Sequence, residues 1–250
     1  MAYEEYQDGV KMKSSHKTPP YIMVRQNIEA VPITSRQRTG RAFLVDTFED
    51  YTAVITEKWR QLTGTIALDT DYPKQGKSCM SLTTAAGVGE TANTTFYIGA
   101  FPKSRFGIEF EFQCGETVTN ITSFLCQILY YDGTQYIQTH VKWLGTNQLK
   151  WQYYSSAGAY IDISSGDQEL DFVATDQPLY NNLKFVADMK NEEYVKLICN
   201  EKEFDLSGIA ARTGADASAP RLAVTLVVTN AVIGARTLRV DNVILTDEEP

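Results

Sequence analysis

The chain has 250 residues, of which 43% are hydrophobic, and its formal net charge is -8 at pH 7. This length and composition are sufficient for one sizeable hydrophobic core, and they exclude a chain that is disordered throughout. No apolar run is long enough to span a membrane, and the first residues lack the apolar stretch of a secretory signal. We therefore expect a protein that is made in the cytoplasm and has no membrane partner.

Residues 1–41 are predicted to form an extended, basic N-terminal arm, followed by a single domain over residues 42–250. The arm carries seven bases and four acids, a net +3, whereas the rest of the chain carries 16 bases and 27 acids, a net -11. Pro19, Pro20 and Pro32 disfavour a helix in the arm. The arm could order on a partner subunit or pack on its own domain. The side chains expected to contact a partner are Tyr21, Ile22, Val24, Arg25, Arg36, Arg38 and Arg41.

After the arm, short runs of β-branched and aromatic residues separated by turn residues predict an all-β, antiparallel β-sandwich. Residues 106–112 alternate between apolar and polar side chains, which indicates a strand with one buried face. The next run ends at residues 132–133, an Asp-Gly dipeptide suited to a tight hairpin. Alternating strands over 137–143 and 149–153 follow, so this part of the chain predicts a three-stranded meander.

The second half of the chain continues the same pattern. Its predicted strands lie within residues 181–190, 193–208, 221–229 and 236–246. Residues 210–219, which are rich in Gly and Ala, are predicted to form a loop. In the last strand the alternation of apolar side chains slips at residues 241–242, and such a slip predicts a β-bulge.

Several segments resemble the concanavalin A-like jelly rolls, a group that includes carbohydrate-binding modules and laminin-G-like domains. The resemblance spans roughly residues 43–247. It rests on FLVDTFEDY at 43–51 followed by Trp59, GKSCMSLTT at 76–84, LKFVADMKNEEYVKLICNEKEFDLSG at 183–208 and RVDNVILTDEE at 239–249. It implies a jelly-roll sandwich, and it leaves the function open because this fold serves enzymes, lectins and virion proteins.

The resemblance also implies a structural calcium ion, which in such modules is held by acids near the first and last strands. The matching positions here are Asp46, Glu49 and Asp241. Calcium takes six to eight oxygen ligands. The sequence alone does not show whether that many oxygens lie close together. The alternative is that these acids accept backbone N–H groups or face solvent. No other cofactor is expected.

The sequence suggests no enzymatic activity. Glu109 and Glu111 share one face of a strand, but the related glycosidases carry a longer acidic motif with an Asp between two Glu residues. Phe110 stands between the two acids of this chain. In a catalytic pair of nucleophile and histidine base, the base would have to be His140, because the other histidine lies in the arm.

The polar side of the predicted meander is a candidate carbohydrate site, because sugars stack on aromatic rings and hydrogen-bond to neighbouring polar groups. Trp143 and Trp151 fall with the apolar residues and are expected in the core. Tyr is also enriched at protein interfaces, so contact between subunits is the alternative for the tyrosines. The expected ligand-binding residues are Tyr131, Tyr136, His140, Lys142, Gln152 and Tyr154.

The basic arm, the acidic body and the missing enzyme motifs together predict a virion structural protein. In this interpretation the chain resembles the jelly-roll decoration, or cement, proteins that cover the capsids of tailed phages. Its partners would be the major capsid protein or other virion subunits and further copies of itself, and its location would be the virion. The acidic body argues against nucleic acid as a partner. The alternatives are a lectin-like carbohydrate-binding module or an adhesion subunit of a phage tail or fibre.

Overall fold

The computed structural model of the protein describes residues 4–7, 10–13, 40–49, 58–99, 101–114, 120–145, 148–170 and 179–249. No helix in those ranges is long and apolar enough to cross a membrane. The strands are β1 (Glu4–Gln7), β2 (Val10–Lys13), β3 (Arg41–Asp46), β4 (Trp59–Thr63), β5 (Thr65–Asp69), β6 (Cys79–Thr83), β7 (Thr91–Gly99), β8 (Arg105–Cys114), β9 (Ile121–Tyr131), β10 (Gln135–Leu144), β11 (Lys150–Tyr154), β12 (Tyr160–Asp167), β13 (Asn181–Asp188), β14 (Glu193–Cys199), β15 (Lys202–Asp205), β16 (Arg212–Ala215), β17 (Arg221–Asn230) and β18 (Thr237–Asp247).

Two eight-stranded antiparallel sheets form a sandwich. Sheet 1 has the order β12-β11-β10-β9-β17-β7-β4, and β16 also pairs with β10. Sheet 2 has the order β15-β14-β13-β8-β18-β6-β5, and β3 also pairs with β18. The predicted all-β, antiparallel sandwich is confirmed. Most neighbouring strands are distant in sequence, so the sheets are held together by long-range pairing.

Apolar side chains from the inner faces of both sheets form one core. On β8, Phe110 and Phe112 point inward, and both rings contact Phe124 of β9 on the opposite sheet at centroid distances of 5.8 and 4.9 Å. Trp143 and Trp151 are fully buried, as predicted. Each large apolar side chain removed from water stabilises the fold by about 1.5–3 kcal/mol, which explains why the alternating pattern selects this packing.

The predicted meander is present as β9, β10 and β11, joined by antiparallel pairing. The edge of β10 that faces away from β9 is divided between two strands. Residues 141–144 pair with β11, and residues 135–138 pair with β16. The prediction of a loop over 210–219 is therefore wrong in part, because β16 lies within it. Its sequence, Arg-Thr-Gly-Ala, has no apolar alternation, and the strand forms by pairing with an otherwise free edge.

The predicted bulge in the last strand is confirmed. The register between β18 and β8 shifts between Asp241 and Ile244, and Asn242 has a φ of 51°. A left-handed conformation of this kind is tolerated by Asn better than by most residues. The bulge lets apolar residues on both sides of it point into the core.

The predicted arm and domain boundary fall largely outside the described residues. Within the arm, β1 pairs with β2 in a separate two-stranded sheet. Arg41 lies at the start of β3 and binds Asp247 of β18, with Nη2 2.6 Å from Oδ2. This last arm residue is therefore part of sheet 2.

Candidate functional site

The outer face of sheet 1, which points away from sheet 2, is built from alternate residues of its strands. In β10, Ile137, Val141 and Trp143 are buried in the core, so the residues of the other parity, including Gln138, His140 and Lys142, lie on the outer face. The pairing places Lys142 opposite Gln152 of β11. Residues from β10, β11, β12 and β16 thereby meet on one surface.

The centre of this surface is a cluster of three rings, His140, Tyr154 and Tyr160, supplied by three strands. The imidazole of His140 is stacked on the ring of Tyr154, with centroids 4.6 Å apart and planes 12° apart. Nδ1 of His140 lies 3.1 Å from the hydroxyl oxygen of Tyr160, and the two tyrosine rings are 5.0 Å apart. The cluster is therefore fixed by both stacking and hydrogen bonding.

His140 is held in its neutral form. Burial lowers the pKa of His140 to about 3, and the positive charges of Arg212 and Lys142 act in the same direction. Its Nε2 atom is buried and has no hydrogen-bond partner among the residues that the structure describes. A buried polar atom without a partner is unfavourable for stability.

Cations lie against the tyrosine rings of this face. Nζ of Lys142 is 3.4 Å from the ring centroid of Tyr160. The Arg221 guanidinium lies over Tyr131, at 4.2 Å, and near Tyr97, at 5.6 Å. These distances are those of cation–π contacts, which attract the charge to the ring face.

Arg212 and Gly214 of β16 complete the surface beside β10. Nη1 of Arg212 donates a hydrogen bond to the Tyr154 hydroxyl. Gly214 lies under the ring of Tyr136, because a Cβ atom at this glycine would come within 2.6 Å of that ring. The missing side chain of Gly214 thus allows Tyr136 to lie flat against the sheet.

The β11–β12 edge of the face is polar and internally bonded. Asp162 accepts hydrogen bonds from Lys150, at 2.5 Å, and from Nε2 of Gln152, at 2.7 Å. The pKa of Asp162 is lowered, chiefly by the hydrogen bonds from these two side chains. The carbonyl oxygen of the Gln152 side chain remains available as an acceptor, since its amide nitrogen makes the bond to Asp162.

The arrangement offers aromatic rings, hydroxyl and amide groups, and positive charges on one surface. Rings can stack on apolar faces of a ligand, while the polar groups fix its orientation. Arginine and lysine can in addition neutralise anionic groups. The surface is thus chemically suited to a polar, ring-containing ligand.

The structure places all six predicted ligand-binding residues on the outer face of sheet 1, although their binding of a ligand stays a prediction. They are Tyr131, Tyr136, His140, Lys142, Gln152 and Tyr154. The sequence reasoning missed Tyr160, Arg212 and Arg221. The alternation in β17 was a usable signal for Arg221, whereas the positions of Tyr160 and Arg212 depend on long-range pairing.

The three acids proposed to hold calcium bind backbone or side-chain donors of the chain itself. Asp46 accepts hydrogen bonds from the backbone N–H of Phe48 and from the indole N–H of Trp59, at 3.2 and 3.0 Å. Glu49 accepts from the backbone N–H groups of residues 77 and 78, at 2.7 and 3.0 Å. Asp241 accepts from those of residues 74 and 75, at 2.9 and 3.1 Å.

Asp241 and Glu49 therefore hold the segment before β6 from two sides, whereas Asp46 binds within its own loop and to Trp59. Among the described residues, no group of three or more His, Cys, Asp or Glu side chains is arranged to hold a metal ion. The hydrogen bonds of these acids within the chain correspond to the alternative interpretation of the sequence, and the calcium ion stays a prediction.

The predicted partner-binding residues of the arm, apart from Arg41, lie outside the described residues. They are Tyr21, Ile22, Val24, Arg25, Arg36 and Arg38. Their contact with a partner stays a prediction.

The comparisons with known proteins agree with the fold. No protein-family model and no curated protein match the chain. Among solved structures, it is similar to the cellulose induced protein Cip1, with a TM-score of 0.53 and 13% identity over 81% of this chain and 96% of that one. It is also similar to an endo-β-1,4-glucuronan lyase from the fungus Trichoderma reesei, with a TM-score of 0.53 and 12% identity over 82% of this chain and 95% of the lyase. A third similar structure is a protein of unknown function with a galectin-like fold from Bacillus subtilis, with a TM-score of 0.50 and 10% identity over 83% of this chain and 96% of that protein.

At these identities the likeness shows a shared jelly-roll fold, a fold found in carbohydrate-active and galectin-like proteins. The expectation that this chain is not an enzyme is contradicted, because the structures of the same fold include a glucuronan lyase. That expectation relied on missing motifs of glycosidases and hydrolases. A sandwich fixes only the positions of side chains on its faces, so other chemistries can be built there without those motifs.

Proposed function

We propose that the chain binds carbohydrate on the outer face of sheet 1. The observation that carries the proposal is the ring cluster of His140, Tyr154 and Tyr160, bordered by the hydrogen-bonding side chains of Gln152 and Arg212. A surface that combines rings with polar groups at fixed positions is what a sugar requires for recognition.

Pre-organisation supports the proposal further. The rings of the cluster contact one another, and Arg212 holds the Tyr154 hydroxyl, so these side chains have few alternative rotamers. Ordering flexible side chains on binding costs about 0.5–1.5 kcal/mol each. A ligand that meets side chains already in place avoids much of this cost.

The similarity to carbohydrate-related structures is consistent with this assignment. One neighbour is a glucuronan lyase and another has a galectin-like fold. These descriptions apply to those proteins, and for this chain they indicate only that the same scaffold supports sugar chemistry elsewhere.

A glycan array probed with the full-length protein tests the proposal, followed by calorimetric titration of the best ligand. We expect binding that is lost in the double variant Tyr136→Ala and Tyr154→Ala. The matched control is Tyr72→Ala, because Tyr72 is 40% exposed and lies in the segment after β5 of sheet 2. Binding that survives the double variant, or that is lost equally in the control, would contradict the assignment to this face.

As a second candidate function, we infer a role as a capsid decoration protein whose arm binds neighbouring virion subunits. Its support is the charge difference between residues 1–41, with a net +3, and the rest of the chain, with -11. Opposite charges on arm and body favour binding between copies or to an acidic capsid surface. Arg41 contributes less to this role, since it binds Asp247 of its own chain.

Light scattering after size exclusion tests this second role. We expect the full-length chain to form a defined oligomer or to bind capsids, and a variant without residues 1–39 to remain monomeric and unbound. The cut at 39 leaves β3 intact. Equal mass and equal capsid occupancy for the two proteins would exclude the arm as an assembly element.

A further inference from the structure

Three cations on the outer face of sheet 1, Lys142, Arg212 and Arg221, have no carboxylate partner among the described residues. Each one contacts tyrosine instead: Lys142 lies over Tyr160, Arg221 lies over Tyr131, and Arg212 donates to the Tyr154 hydroxyl. The pKa of Asp216 is lowered in part by the charge of Arg221, yet this carboxylate accepts its hydrogen bond from the backbone of Ser218. The cations are thus held in place by rings and hydroxyl groups. None of the three forms an ion pair with a described carboxylate, and Asp216 acts on Arg221 through its charge without a hydrogen bond to it.

Several other cations of the sandwich form ion pairs with acids. Arg105 binds Asp188 at 3.0 Å, Arg239 binds Asp69 at 2.5 Å, and the buried Lys184 binds Glu109 at 2.8 Å. The chain has 31 acids for 23 bases, so acids are in excess as partners. Lys142, Arg212 and Arg221 form no such ion pair with a described residue, although acids are available, and Asp162 of the same face binds Lys150 instead.

The three cations lie on half-buried rings. A charge without an ion-pair partner in such a position destabilises the protein when no ligand is bound. Burial lowers the pKa of Lys142, which shows that its charged form is partly desolvated at this position. An anion brought to the face would restore the missing charge partner. Interactions between charges are also stronger there than in open water, because the rings exclude solvent.

The strand pairing gives the spacing of the three cations. Arg212 lies opposite Gln138, four residues along β10 from Lys142, which is roughly 14 Å at the rise of a strand. Arg221 lies on β17, three strand spacings from β16, or roughly 14 Å across the sheet. These are spacings between backbone positions. The Lys142 ammonium lies over Tyr160 of β12 and the Arg221 guanidinium over Tyr131 of β9, three strand spacings apart, so a ligand that contacts both must contain more than one sugar unit.

We propose that the ligand is an anionic polysaccharide, whose carboxylate or sulfate groups are bound by Lys142, Arg212 and Arg221 while its rings stack on the neighbouring tyrosines. This inference rests on the proposed carbohydrate binding and specifies its ligand class. Guanidinium groups bind planar carboxylates with two parallel hydrogen bonds, and lysine adds a point charge.

The test compares three β-1,4-linked oligomers of equal length: a cello-oligosaccharide, its C6-oxidised form made of glucuronate, and its sulfated form. They share a backbone and differ in charge. Titration of the full-length protein is expected to give at least tenfold tighter binding of one or both charged forms. The preference is expected to shrink when salt rises from about 0.01 M to about 1 M, because salt screens exposed charges.

Two variants locate the site. Arg212→Gln and Arg221→Gln are each expected to reduce the preference for the charged oligomer severalfold while the proteins still unfold in one cooperative transition, and Arg221→Lys is expected to retain most of the preference. The control Lys190→Gln removes one positive charge from the exposed turn after β13 and is expected to leave the preference unaltered. An equal effect of the control would show that net charge, and not this face, causes the preference.

The remaining outcomes separate the two proposals. Equal binding of neutral and charged oligomers overturns the anionic class and leaves carbohydrate binding in place. Binding of none of the oligomers, together with a negative glycan array, overturns both. Tighter binding of a single-stranded oligodeoxynucleotide than of any sugar oligomer would assign the cations to a nucleic acid and overturn the inference.

Discussion

The imidazole of His140 and the phenol ring of Tyr154 lie face to face, 4.6 Å apart and nearly parallel, on the outer face of sheet 1. The two residues come from adjacent strands, and the partner strand on the same edge, β16, supplies the arginine that holds the tyrosine hydroxyl. The contact therefore couples the position of a ring at the surface to a neutral, buried imidazole beneath it.

The hydroxyl and the ring of Tyr154 are expected to contribute separately to sugar binding. Tyr154→Phe keeps the stacking on His140 and removes the hydrogen bond from Arg212, which is worth about 0.5–1.5 kcal/mol. We expect a two- to tenfold loss of affinity for Tyr154→Phe and a larger loss for Tyr154→Ala, measured by titration calorimetry. Tyr72→Phe removes a distant hydroxyl and serves as the control. Equal losses for Phe and Ala would show that the ring itself contributes nothing.

Acid is expected to destabilise the fold through His140. Its folded pKa is about 3, well below the ordinary value of 6.5, so the unfolded chain binds the proton first as the pH falls. The stability is therefore complete above pH 6.5 and is lost progressively toward pH 3, by about 2–3 kcal/mol at a pH near 4.5. Denaturant unfolding across this range measures the loss. His140→Gln should show a flatter profile, and an identical profile in both proteins would contradict the burial of a neutral imidazole.

Asp241 is expected to make the free energy of unfolding depend on pH in the opposite direction to His140. Burial raises its pKa to about 6, against the opposing effect of three backbone hydrogen bonds, so the folded state retains the proton longer than the unfolded chain. The free energy of unfolding should therefore fall as the pH rises from about 4 to about 6. The slope should disappear in Asp241→Asn, which urea unfolding at several pH values can detect. A steeper slope in the variant would mean that the carboxylate is charged throughout.

Removal of divalent cations is expected to leave the melting temperature unchanged. Glu49 and Asp241 accept hydrogen bonds from the segment before β6, and Asp46 accepts one from Trp59, so these contacts form without an ion. Calorimetry with a chelator and with added calcium provides the measurement. A rise of several degrees with calcium would contradict this expectation and support the calcium ion predicted from the sequence.

Gln168 is expected to link the two sheets. Its side chain accepts a hydrogen bond from the indole N–H of Trp151 in sheet 1 and donates one to the carbonyl of Cys199 in sheet 2, both at 2.9 Å. Gln168→Leu would leave both groups buried without a partner, at a cost of about 1–3 kcal/mol for each. We expect a clear fall in the urea midpoint, whereas Gln168→Glu should retain the bond from Trp151. No change in Gln168→Leu would mean that water replaces the amide.

The parts of the fold that follow from local alternation could be predicted from the sequence. The period of two in β8 and in the meander identifies the faces that carry Phe112, Trp143 and Trp151, and a slipped parity at Asp241 identifies the bulge. Parity also placed the six ligand candidates on one side of β9, β10 and β11. Burial of one face forces this outcome, so no knowledge of strand order was needed.

The remaining residues of the candidate site could not be predicted, because their positions depend on which strands become neighbours. Arg212 reaches the site because a four-residue strand without apolar residues finds the open edge of β10, and Tyr160 reaches it because β12 pairs with β11. Nothing local in either segment specifies these contacts. The exclusion of an enzyme failed for a related reason, because the motifs that were sought belong to other chemistries on the same scaffold.

The division of one edge of β10 between β11 and β16 gives this surface a modular construction. Residues 212–215 touch the candidate site but contribute no large side chain to the core, so all except Gly214, which Tyr136 covers, can be exchanged without changing the register of the sandwich. Selection for a different glycan could proceed in this short segment while the rest of the domain stays constant. A library restricted to it would alter ligand choice at little cost to folding, much as variable loops do on an immunoglobulin framework.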